Sequence, residues 1–453
     1  MIYSTILDTI GNTPILELTH TDTGVCRLFM KLENQNPGGS IKDRVGLFMI
    51  NEAEKQGKLK PGDTIVEATA GNTGLGLALA AQMKGYHLIL VIPDKMSQEK
   101  INHLRAMGVE IMLTRSDVMK GHPEYYQDLA RRVASERRAF FVNQFGNPAN
   151  PLAHESTTAP EIWEQMEHSV DAIVVGVGSS GTITGLTRFF KRVSPQTEFI
   201  LADPKGSILA DYINKGVLRT NAGSWLVEGI GEDFIPSLAD FELTKKAYTV
   251  GDKESFAAVR NLLRNEGILA GSSTGVLLDA AIRHCRAQTE SKRVVTIACD
   301  SGNKYLSKMY NDYWLLDHDL TDRQSSGDLR DFIARRYEDD SIIYVHPGNT
   351  LKTVYGKFKL YDISQLPVID DRDNVVGLVD ESDLFMALYT HNHNWMTEVR
   401  EIMSRQLTTI PYTAGRDELA KILNEGLIAI VVNPDGRFEG LVTRIDFINH
   451  LKN

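Results

Sequence analysis

The sequence predicts a doubly wound α/β domain followed by a smaller α+β module, and three observations support this prediction. From Leu28 to about Asp300, short apolar segments alternate with segments of helical periodicity, which is typical of a parallel sheet covered by helices on both faces. Two glycine-rich loops each lie between an apolar segment and a helical one. After Trp314 the sequence becomes polar and rich in turn residues, and a weak repeat follows.

The alternation assigns particular strands and helices to the first part. The predicted strands are residues 64–68, 88–93, 109–113, 171–177, 198–202 and 293–298. The predicted helices are residues 72–84, 97–107, 124–137, 153–166, 182–192, 255–265, 273–285 and 303–310. Because ligands of doubly wound sheets bind at the carboxyl ends of the strands, both glycine-rich loops are expected to lie at that edge.

Length, composition and charge describe an ordinary globular protein. A chain of 453 residues is too long for one core, which predicts two or three domains. Apolar residues at 42% and charged residues at 24% are typical of a soluble protein. The formal net charge of −10 argues against nucleic acid as a partner, because phosphate binding needs a basic surface.

The sequence carries no signal for a membrane, a secretory route or a metal site. The N-terminus lacks a basic segment followed by an apolar one, and no run of about 18 apolar residues occurs, which predicts a cytoplasmic protein. Cys26, Cys285 and Cys299 are an odd number without metal-ligand spacing, so neither disulfides nor structural zinc are expected. His391 and His393 lack a third ligand and also predict no metal.

One lysine occupies an unusual position. In segment 36–44, a proline and two glycines lead into a predicted helix start, with Ser40 as a cap and Lys42 in the first turn. A cation there opposes the helix dipole, whereas an amine that is neutral or bound in a Schiff base does not. Lys42 is therefore a candidate for bonding a carbonyl cofactor, although an isolated lysine of this kind is more often an ordinary loop residue.

Two loops at helix starts offer anion sites. In segment 176–182, backbone amides and hydroxyls could bind a phosphate, with a simple strand-to-helix turn as an equal alternative. No Lys-Ser/Thr pair follows, which argues against a nucleotide P-loop. In segment 67–74, the amides and the hydroxyls of Thr69 and Thr73 could bind an amino-acid carboxylate, although spacing alone favours a capped helix start.

These motifs together identify a family. Segments 36–44, 67–74 and 176–182 resemble those of the β-family (fold type II) of pyridoxal-phosphate enzymes, in the group of cysteine synthase and cystathionine β-synthase, from about Ile10 to about Trp314. In the C-terminal repeat, 366–384 matches 428–447 with a period of about 63 residues, and it resembles a tandem CBS-domain pair, or Bateman module. The implied domains are a catalytic domain of two α/β subdomains at 1–316, a linker at 317–332 and tandem CBS domains at 333–453, with copies at about 333–392 and 396–453.

The resemblance also implies a cofactor and the residues that hold it. The cofactor is pyridoxal 5′-phosphate, bonded to Lys42, with Asn72 at the 3′-oxygen of its ring and Ser301 at the pyridine nitrogen. Asp300 beside Ser301 leaves that last assignment open, since such a residue after a strand is often only a helix cap. No haem-binding extension precedes Ile6, so the resemblance is to haem-less, bacterial-type enzymes and haem is not expected. The implied phosphate ligands are Gly178, Ser179, Ser180, Gly181 and Thr182.

The substrate side follows from the same resemblance. Three positions depart from the family pattern: Ser180 replaces a glycine, Ala70 replaces a serine, and Glu232 replaces the tyrosine of animal cystathionine β-synthases. Substrate preference and the second-substrate pocket are therefore expected to differ in detail. The implied substrate residues are Thr69, Ala70, Gly71, Thr73, Gln144 and Gly229.

The CBS-domain pair implies a nucleotide site. Asp383 and Asp446 would hold ribose hydroxyls, and Thr443 would hold a phosphate or an adenosine group. Only the second copy has the full Gly-h-h-Thr-x-x-Asp pattern, where h is an apolar residue, because Asp380 replaces the threonine of the first copy and would repel a phosphate. A dimerising module without a ligand is an equal alternative.

The implied activity is a β-replacement. L-serine or O-acetylserine would react with L-homocysteine to give L-cystathionine, the first step of transsulfuration, with hydrogen sulfide production as a further activity. Lys42 would act as general base and then as general acid. The alternatives are O-acetylserine sulfhydrylase (cysteine synthase), a serine or threonine dehydratase, and an adenosyl-nucleotide sensor with an inactive α/β domain. At least a homodimer is implied, and a tetramer stays open.

Overall fold

The computed structural model describes residues 2–69, 71–94, 96, 98–118, 121–218, 222–321, 325–339, 341–390 and 393–451. Contacts along the chain divide it into two units, Met1–Tyr310 and Asn311–Asn453. The strands of the first unit are β1 (Ile15–Glu17), β2 (Arg27–Lys31), β3 (Thr64–Ala68), β4 (His87–Pro93), β5 (Glu110–Thr114), β6 (Phe140–Phe141), β7 (Ala172–Val175), β8 (Glu198–Pro204), β9 (Thr244–Val250) and β10 (Arg293–Ile297). Its helices are α1 (Lys42–Lys55), α2 (Asn72–Lys84), α3 (Gln98–Ala106), α4 (Tyr126–Arg137), α5 (Ala149–Ala153), α6 (Ala159–Gln165), α7 (Gly181–Val193), α8 (Leu209–Lys215), α9 (Asp252–Glu266) and α10 (Ser272–Arg286).

The strands of the first unit form two sheets. The larger sheet has the order β1-β2-β10-β7-β8-β9, and the smaller has the order β5-β4-β3-β6. Apart from the antiparallel pair β1–β2, the neighbouring strands are parallel. Strands β3, β4 and β8 are almost wholly buried, which explains their continuous apolar sequences. The predicted α/β class with two subdomains is thereby confirmed.

Some predicted elements are wrong or were missed. The predicted helix 303–310 is wrong, because this segment forms only a short 3₁₀ turn at Gly302–Lys304. Tyr305 and Met309 are buried there, so tertiary packing produces the apolar spacing that had indicated a helix. The predicted helix 153–166 is interrupted by a π-helical turn at His154–Thr158, which separates α5 from α6. Strands β1, β2, β6 and β9 were not predicted.

The second unit contains two copies of a small α+β motif, as predicted. Strands β11 and β12 pair in the first copy, and β13, β14 and β15 form the sheet of the second. Both hairpins carry an irregularity at the equivalent place, between Val368 and Ile369 and between Val431 and Val432. The strands are β11 (Gln365–Ile369), β12 (Val375–Asp380), β13 (Thr409–Pro411), β14 (Ala429–Val432) and β15 (Phe438–Val442). The helices are α11 (Asp312–Asp317), α12 (Leu351–Tyr361), α13 (Glu381–Tyr389), α14 (Arg416–Asn424) and α15 (Arg444–Leu451).

The segment predicted as a linker, 317–332, includes part of the core of the second unit. Leu329 and Phe332 lie on a short 3₁₀ helix, and both are buried among residues of the second copy of the repeat. Their apolar side chains stand between polar residues in the sequence, which is why composition alone indicated a linker.

Candidate active site

Lys42 is the first residue of α1, as its sequence context predicted. A tight turn precedes it, in which the Gly39 N–H donates to the Asn36 carbonyl oxygen at 2.7 Å. Gly39 has φ +75°, a conformation that glycine adopts without strain. The Ser40 hydroxyl accepts a hydrogen bond from the Lys42 N–H at 3.2 Å. The turn and this hydrogen bond fix the backbone from which the lysine side chain extends.

The environment of Lys42 favours a neutral amine. Burial lowers the pKa of the Lys42 amine, although Cys299, Asp300 and Glu33 act in the opposite direction. Within the described residues, no hydrogen bond or ion pair engages the Lys42 amine. A partly buried amine with a lowered pKa and no partner is suited to act as a nucleophile and as a general base.

Two glycines bring the starts of α1 and α2 together. A Cβ on Gly76 of α2 would overlap the Lys42 carbonyl oxygen and would lie 2.8 Å from the Lys42 carbonyl carbon. A Cβ on Gly46 of α1 would overlap the backbone of Gly76. The helices therefore touch through their backbones, and this contact places Lys42 near Asn72, the first residue of α2.

The segment after β10 pairs with the lysine turn. The Ile41 N–H donates to the Cys299 carbonyl oxygen at 2.9 Å, and the Ser301 N–H donates to the Gly39 carbonyl oxygen at 3.0 Å. The Ser301 hydroxyl accepts from the Asn303 N–H at 3.3 Å, so it caps the short 3₁₀ turn. Ser301 thus lies beside the lysine turn, and its contact with a pyridine nitrogen stays a prediction.

The Asn72 amide is held by two groups that the sequence did not assign to the site. Its Nδ2 donates to Asp300 Oδ2 at 2.7 Å, and its Oδ1 accepts from Lys304 Nζ at 2.8 Å. Asp300 is fully buried and also accepts from the Tyr305 hydroxyl at 2.6 Å. Only the position of Asp300 next to Ser301 hinted at this role, and nothing in the sequence pointed to Lys304.

The predicted phosphate loop forms the start of α7. Ser180 has φ +65°, the left-handed conformation in which the family resemblance expects glycine. Its hydroxyl is buried and has no hydrogen-bond partner within the described residues. Helix α7 begins at Gly181, so the first amides of that helix lie beside this hydroxyl. A phosphate could accept from both.

Asn150 and His154 form hydrogen bonds with side chains of the phosphate loop, and neither residue was predicted. Asn150 Nδ2 donates to the Ser179 hydroxyl and to the Gln144 carbonyl oxygen, both at 2.9 Å. His154 Nε2 and the Thr182 hydroxyl are hydrogen-bonded at 3.3 Å. Burial, with Lys42 and Arg44 nearby, lowers the pKa of His154 well below its ordinary value, so its imidazole is neutral.

The segment 228–233 lies against the phosphate loop. A Cβ on Gly178 would lie 2.6 Å from the Gly229 carbonyl oxygen and 3.9 Å from Glu232 Oε1. Gly229 has φ +88°, which favours glycine at this position. Burial raises the pKa of Glu232 well above its ordinary value, and the nearby carboxylates of Asp233 and Asp203 raise it further. Glu232 therefore presents a carboxyl that holds its proton readily.

The predicted substrate loop is tied to Gln144. The Thr73 hydroxyl donates to Gln144 Oε1 at 2.8 Å, and Gln144 Nε2 donates to the Ala68 carbonyl oxygen at 3.3 Å. The Gly71 N–H donates to the Thr69 hydroxyl at 3.4 Å. Both the oxygen and the nitrogen of the Gln144 side-chain amide thus form hydrogen bonds with this loop and the strand before it. Ala70, which the sequence also predicted here, lies outside the described residues.

These groups fit a phosphorylated aldehyde. The Ser180 hydroxyl and the α7 amides match a phosphate, and the Lys42 amine matches an aldehyde; neither side chain has a hydrogen-bond partner among the described residues. Asp300 Oδ1 is a further buried polar atom without a partner in the described part of the chain. The structure therefore brings the lysine, the asparagine loop, the phosphate loop and Ser301 into one region of the first unit.

The predicted nucleotide residues of the second unit act as helix caps. Asp380 Oδ1 accepts from the Asp383 N–H at 2.8 Å, and Asp383 Oδ2 accepts from the Asp380 N–H at 3.0 Å. In the second copy, Asp446 Oδ2 accepts from the Thr443 N–H at 2.7 Å and from its hydroxyl at 2.6 Å. Asp446 also lines a cavity of about 590 Å³ that includes Asp317, Asp319, Asp331, Arg416 and His450. Nucleotide binding stays a prediction.

Two kinds of feature are absent from the part of the chain that the structure describes. None of its helices is both long and apolar enough to cross a lipid bilayer. Its histidine, cysteine and carboxylate side chains form no group of three that could hold a metal ion.

Comparison with known proteins supports the predicted family. Residues 6–300 match the family model described as pyridoxal-phosphate dependent enzyme, and residues 334–390 and 399–453 match CBS domains. The chain is 36% identical over 435 residues to cystathionine beta-synthase of Mus musculus, covering 94% of this chain and 77% of the relative. It is 35% identical over 467 residues to cystathionine beta-synthase of Dictyostelium discoideum, covering 100% of this chain and 93% of the relative.

Two solved structures are similar to the catalytic part. An O-acetylserine dependent cystathionine beta-synthase from Helicobacter pylori matches with a TM-score of 0.62 and 37% identity, over 68% of this chain and 98% of that one. A hydrogen sulfide-producing enzyme from Fusobacterium nucleatum matches with a TM-score of 0.63 and 34% identity, over 67% of this chain and 100% of that one. With its C-terminal CBS-domain pair, the chain therefore belongs to the cystathionine beta-synthase family of pyridoxal-phosphate dependent enzymes.

Proposed function

We propose that this protein catalyses a β-replacement in which L-homocysteine displaces the β-substituent of L-serine or O-acetylserine, giving L-cystathionine. The observation that carries the proposal is the Lys42 amine, which no described group engages and which lies in the same region as Asn72 and the phosphate loop. The names of the relatives and of the Helicobacter pylori structure support the same reaction. The product would enter transsulfuration in the cytoplasm.

Bound pyridoxal phosphate would supply an electron sink that stabilises charge on the substrate α-carbon and so permits loss of the β-substituent. The Lys42 amine would hold the cofactor covalently until the substrate amine displaces it, and the freed amine would then accept the α-proton at Nζ and later return it. The lowered pKa of Lys42 favours the neutral form that this proton transfer needs. The residues of segment 178–182 would bind the phosphate, and Ser301 would face the pyridine nitrogen.

The substrate amino acid would bind at the start of α2. The amides of that helix start, with the hydroxyls of Thr69 and Thr73, provide donors for its carboxylate. Asn72 keeps one amide hydrogen beyond the one that it donates to Asp300, and this hydrogen would reach the cofactor ring oxygen. Gly71 and Gln144 would fix the conformation of this loop, and Gly229 would line the substrate site.

Steady-state kinetics would test the reaction. The experiment compares L-serine with O-acetylserine and L-homocysteine with sulfide, and it follows cystathionine and cysteine as products. Cystathionine formation with a higher kcat/KM than cysteine formation supports the proposal. Cysteine formation from O-acetylserine and sulfide that exceeds it by orders of magnitude would instead identify an O-acetylserine sulfhydrylase. A keto-acid product would identify a dehydratase.

A second candidate, O-acetylserine sulfhydrylase, in which sulfide replaces the acetate of O-acetylserine to give cysteine, is favoured by one particular observation. Glu232, at the position where animal cystathionine β-synthases carry tyrosine, places a readily protonated carboxyl next to Gly178. Such a group can change how a leaving group or an incoming thiol is protonated. Glu232→Tyr should therefore shift the ratio of kcat/KM for homocysteine to that for sulfide, and an unchanged ratio would remove the candidate.

The second unit would regulate or assemble the enzyme. We infer that Asp446 and Thr443, with Asp383 in the first copy, bind the ribose and adjoining groups of an adenosyl nucleotide. Calorimetric titration with adenosine monophosphate and S-adenosylmethionine would test this, and absence of heat with both would favour a module without ligand. Chromatography with light scattering would separate a homodimer from a tetramer. A colourless protein after incubation with the cofactor would favour an adenosyl-nucleotide sensor.

A further inference from the structure

Lys100 and Glu228 form a buried ion pair between the two sheets of the first unit. Lys100 lies on α3, in the chain between β4 and β5 of the smaller sheet, whereas Glu228 lies in the chain between β8 and β9 of the larger sheet. The Lys100 side chain is 3% exposed and that of Glu228 is 14% exposed. Lys308 donates to the other Glu228 oxygen at 2.7 Å. The pair therefore links a helix that connects strands of the smaller sheet to a loop that connects strands of the larger sheet.

The ion pair is connected to Asn72 through two buried side chains. Lys100 Nζ donates to the Tyr305 hydroxyl at 3.2 Å and lies 4.5 Å from the centre of its ring. The Tyr305 hydroxyl donates to Asp300 Oδ2 at 2.6 Å, and the same oxygen accepts from Asn72 Nδ2 at 2.7 Å. A continuous chain of hydrogen bonds thus leads from α3 to the proposed cofactor-binding amide.

Helix α3 makes further contacts near this pair. Glu99, its neighbour on the helix, accepts a hydrogen bond from the Ser307 hydroxyl. A Cβ on Gly71 of the substrate loop would lie 3.3 Å from Lys100 Nζ. The Lys100 amine therefore touches the substrate loop on one side and the segment after β10 on the other. Movement of α3 would disturb both.

Fold stability alone does not explain the pair. A buried ion pair contributes little net stability, because desolvation of both ions offsets their attraction. Burial raises the pKa of Glu228, but Lys100 and Lys308 lower it by more, so the carboxylate is charged at neutral pH. Apolar replacements of buried ion pairs are often neutral or stabilising, so the hydrogen bond from Lys100 to Tyr305 points to a positional role for the pair.

We propose that Lys100 and Glu228 form a latch that holds α3 against the larger sheet and, through Tyr305 and Asp300, fixes the Asn72 side chain for the cofactor. The effect on turnover rests on the proposed function, whereas the closure of α3 does not. Lys100 and Glu228 are positioning residues in this scheme, and they act on the reaction through Asn72.

Hydrogen exchange on the full-length, cofactor-loaded protein tests the latch without relying on turnover. Lys100→Met is expected to raise exchange of the α3 amides, residues 98–106, at least tenfold, and Lys100→Arg should restore most of the protection. The matched control is Lys84→Met, which breaks a partly buried ion pair between Lys84 of α2 and Glu54 of α1. This control should leave α3 exchange within twofold of the wild type.

The same variants separate latch closure from chemistry. Lys100→Met should also shift the absorbance maximum of the bound cofactor and lower kcat at least tenfold, because Asn72 loses its fixed orientation. Unchanged α3 exchange in Lys100→Met would overturn the latch, even if kcat falls. If Lys100→Met does not fold, Glu228→Gln, which keeps the shape of the side chain, must show the same increase in exchange, and its failure to do so would overturn the proposal equally. Absence of cystathionine synthesis in the wild type would refute only the proposed function.

Discussion

The contact between Gly46 and Gly76 makes the position of Lys42 sensitive to a single methyl group. In Gly76→Ala, the new Cβ would overlap the Lys42 carbonyl oxygen and would lie 2.8 Å from its carbonyl carbon and 3.1 Å from the Asp43 Cα. Carbon atoms in contact are normally at least about 3.5 Å apart. Helix α1 must therefore retreat by about 0.7 Å or more, and Lys42 is the first residue to move.

The expected cost has a structural part and a catalytic part. Overpacking of this kind costs about 1–3 kcal/mol, and alanine in a helix recovers about 1 kcal/mol relative to glycine. We expect the free energy of unfolding of Gly76→Ala to fall by about 0–2 kcal/mol, the difference of these two figures. A displacement of about 1 Å at a catalytic group costs on the order of 100-fold in rate. The loss of kcat should thus exceed what instability explains.

Urea unfolding, cofactor absorbance and kcat of Gly76→Ala measure these effects. The control is Gly356→Ala, which adds a methyl group inside α12 where, among the described residues, no atom outside the adjoining helix backbone lies within 4 Å. It should stabilise the second unit by about 0.5–1 kcal/mol and leave kcat unchanged. Wild-type kcat and absorbance in Gly76→Ala would refute the argument that this helix contact positions Lys42.

Three further predictions concern other parts of the chain. Burial raises the pKa of Glu67 to about 8, so the folded state binds the carboxyl proton more tightly than the unfolded state does. The stability that this proton contributes is present below about pH 4.5 and is lost as the pH rises towards 8. Glu67→Gln should therefore gain unfolding free energy over the wild type across this range, by up to roughly 5 kcal/mol, and a pH-independent difference in urea unfolding would contradict this. Ser180→Gly should relieve about 1 kcal/mol of strain from the left-handed backbone in the cofactor-free protein. It should also weaken cofactor binding about tenfold or more, because a hydrogen bond to the charged phosphate is lost. Tighter cofactor binding in a fluorescence titration would count against the assignment of Ser180 to the phosphate. A chain ending after Leu316 should fold and retain activity, and an insoluble or inactive fragment would contradict the proposed boundary.

The elements that could be predicted from the sequence are those whose burial leaves a continuous apolar pattern in the sequence. The prediction for β3 matches the observed Thr64–Ala68, because nearly every residue of a central parallel strand is buried and apolar. Strand β9 was missed because Lys245 and Lys246 interrupt its apolar pattern at an edge of the sheet. The helix start at Lys42 was predictable because turn residues and the cap precede it in sequence.

The sequence could not reveal contacts between distant segments. Asn72 and Asp300 are 228 residues apart, and only the fold brings them within 2.7 Å. Lys304 and Tyr305 looked like part of a helix, yet their side chains serve the site and the core instead. The pairing of Lys100 with Glu228 has the same origin, since each residue alone resembles an ordinary surface charge in the sequence.

Mapping the cofactor attachment site would show whether Lys42 is the residue that carries the cofactor. The full-length protein would be incubated with pyridoxal phosphate, reduced with borohydride, digested and analysed by mass spectrometry. A pyridoxyl group is expected on Lys42 alone, because the nearby Lys304 amine already donates to Gly38, Gly39 and Asn72. A label on Lys304 or Lys100, or no label at all, would contradict it.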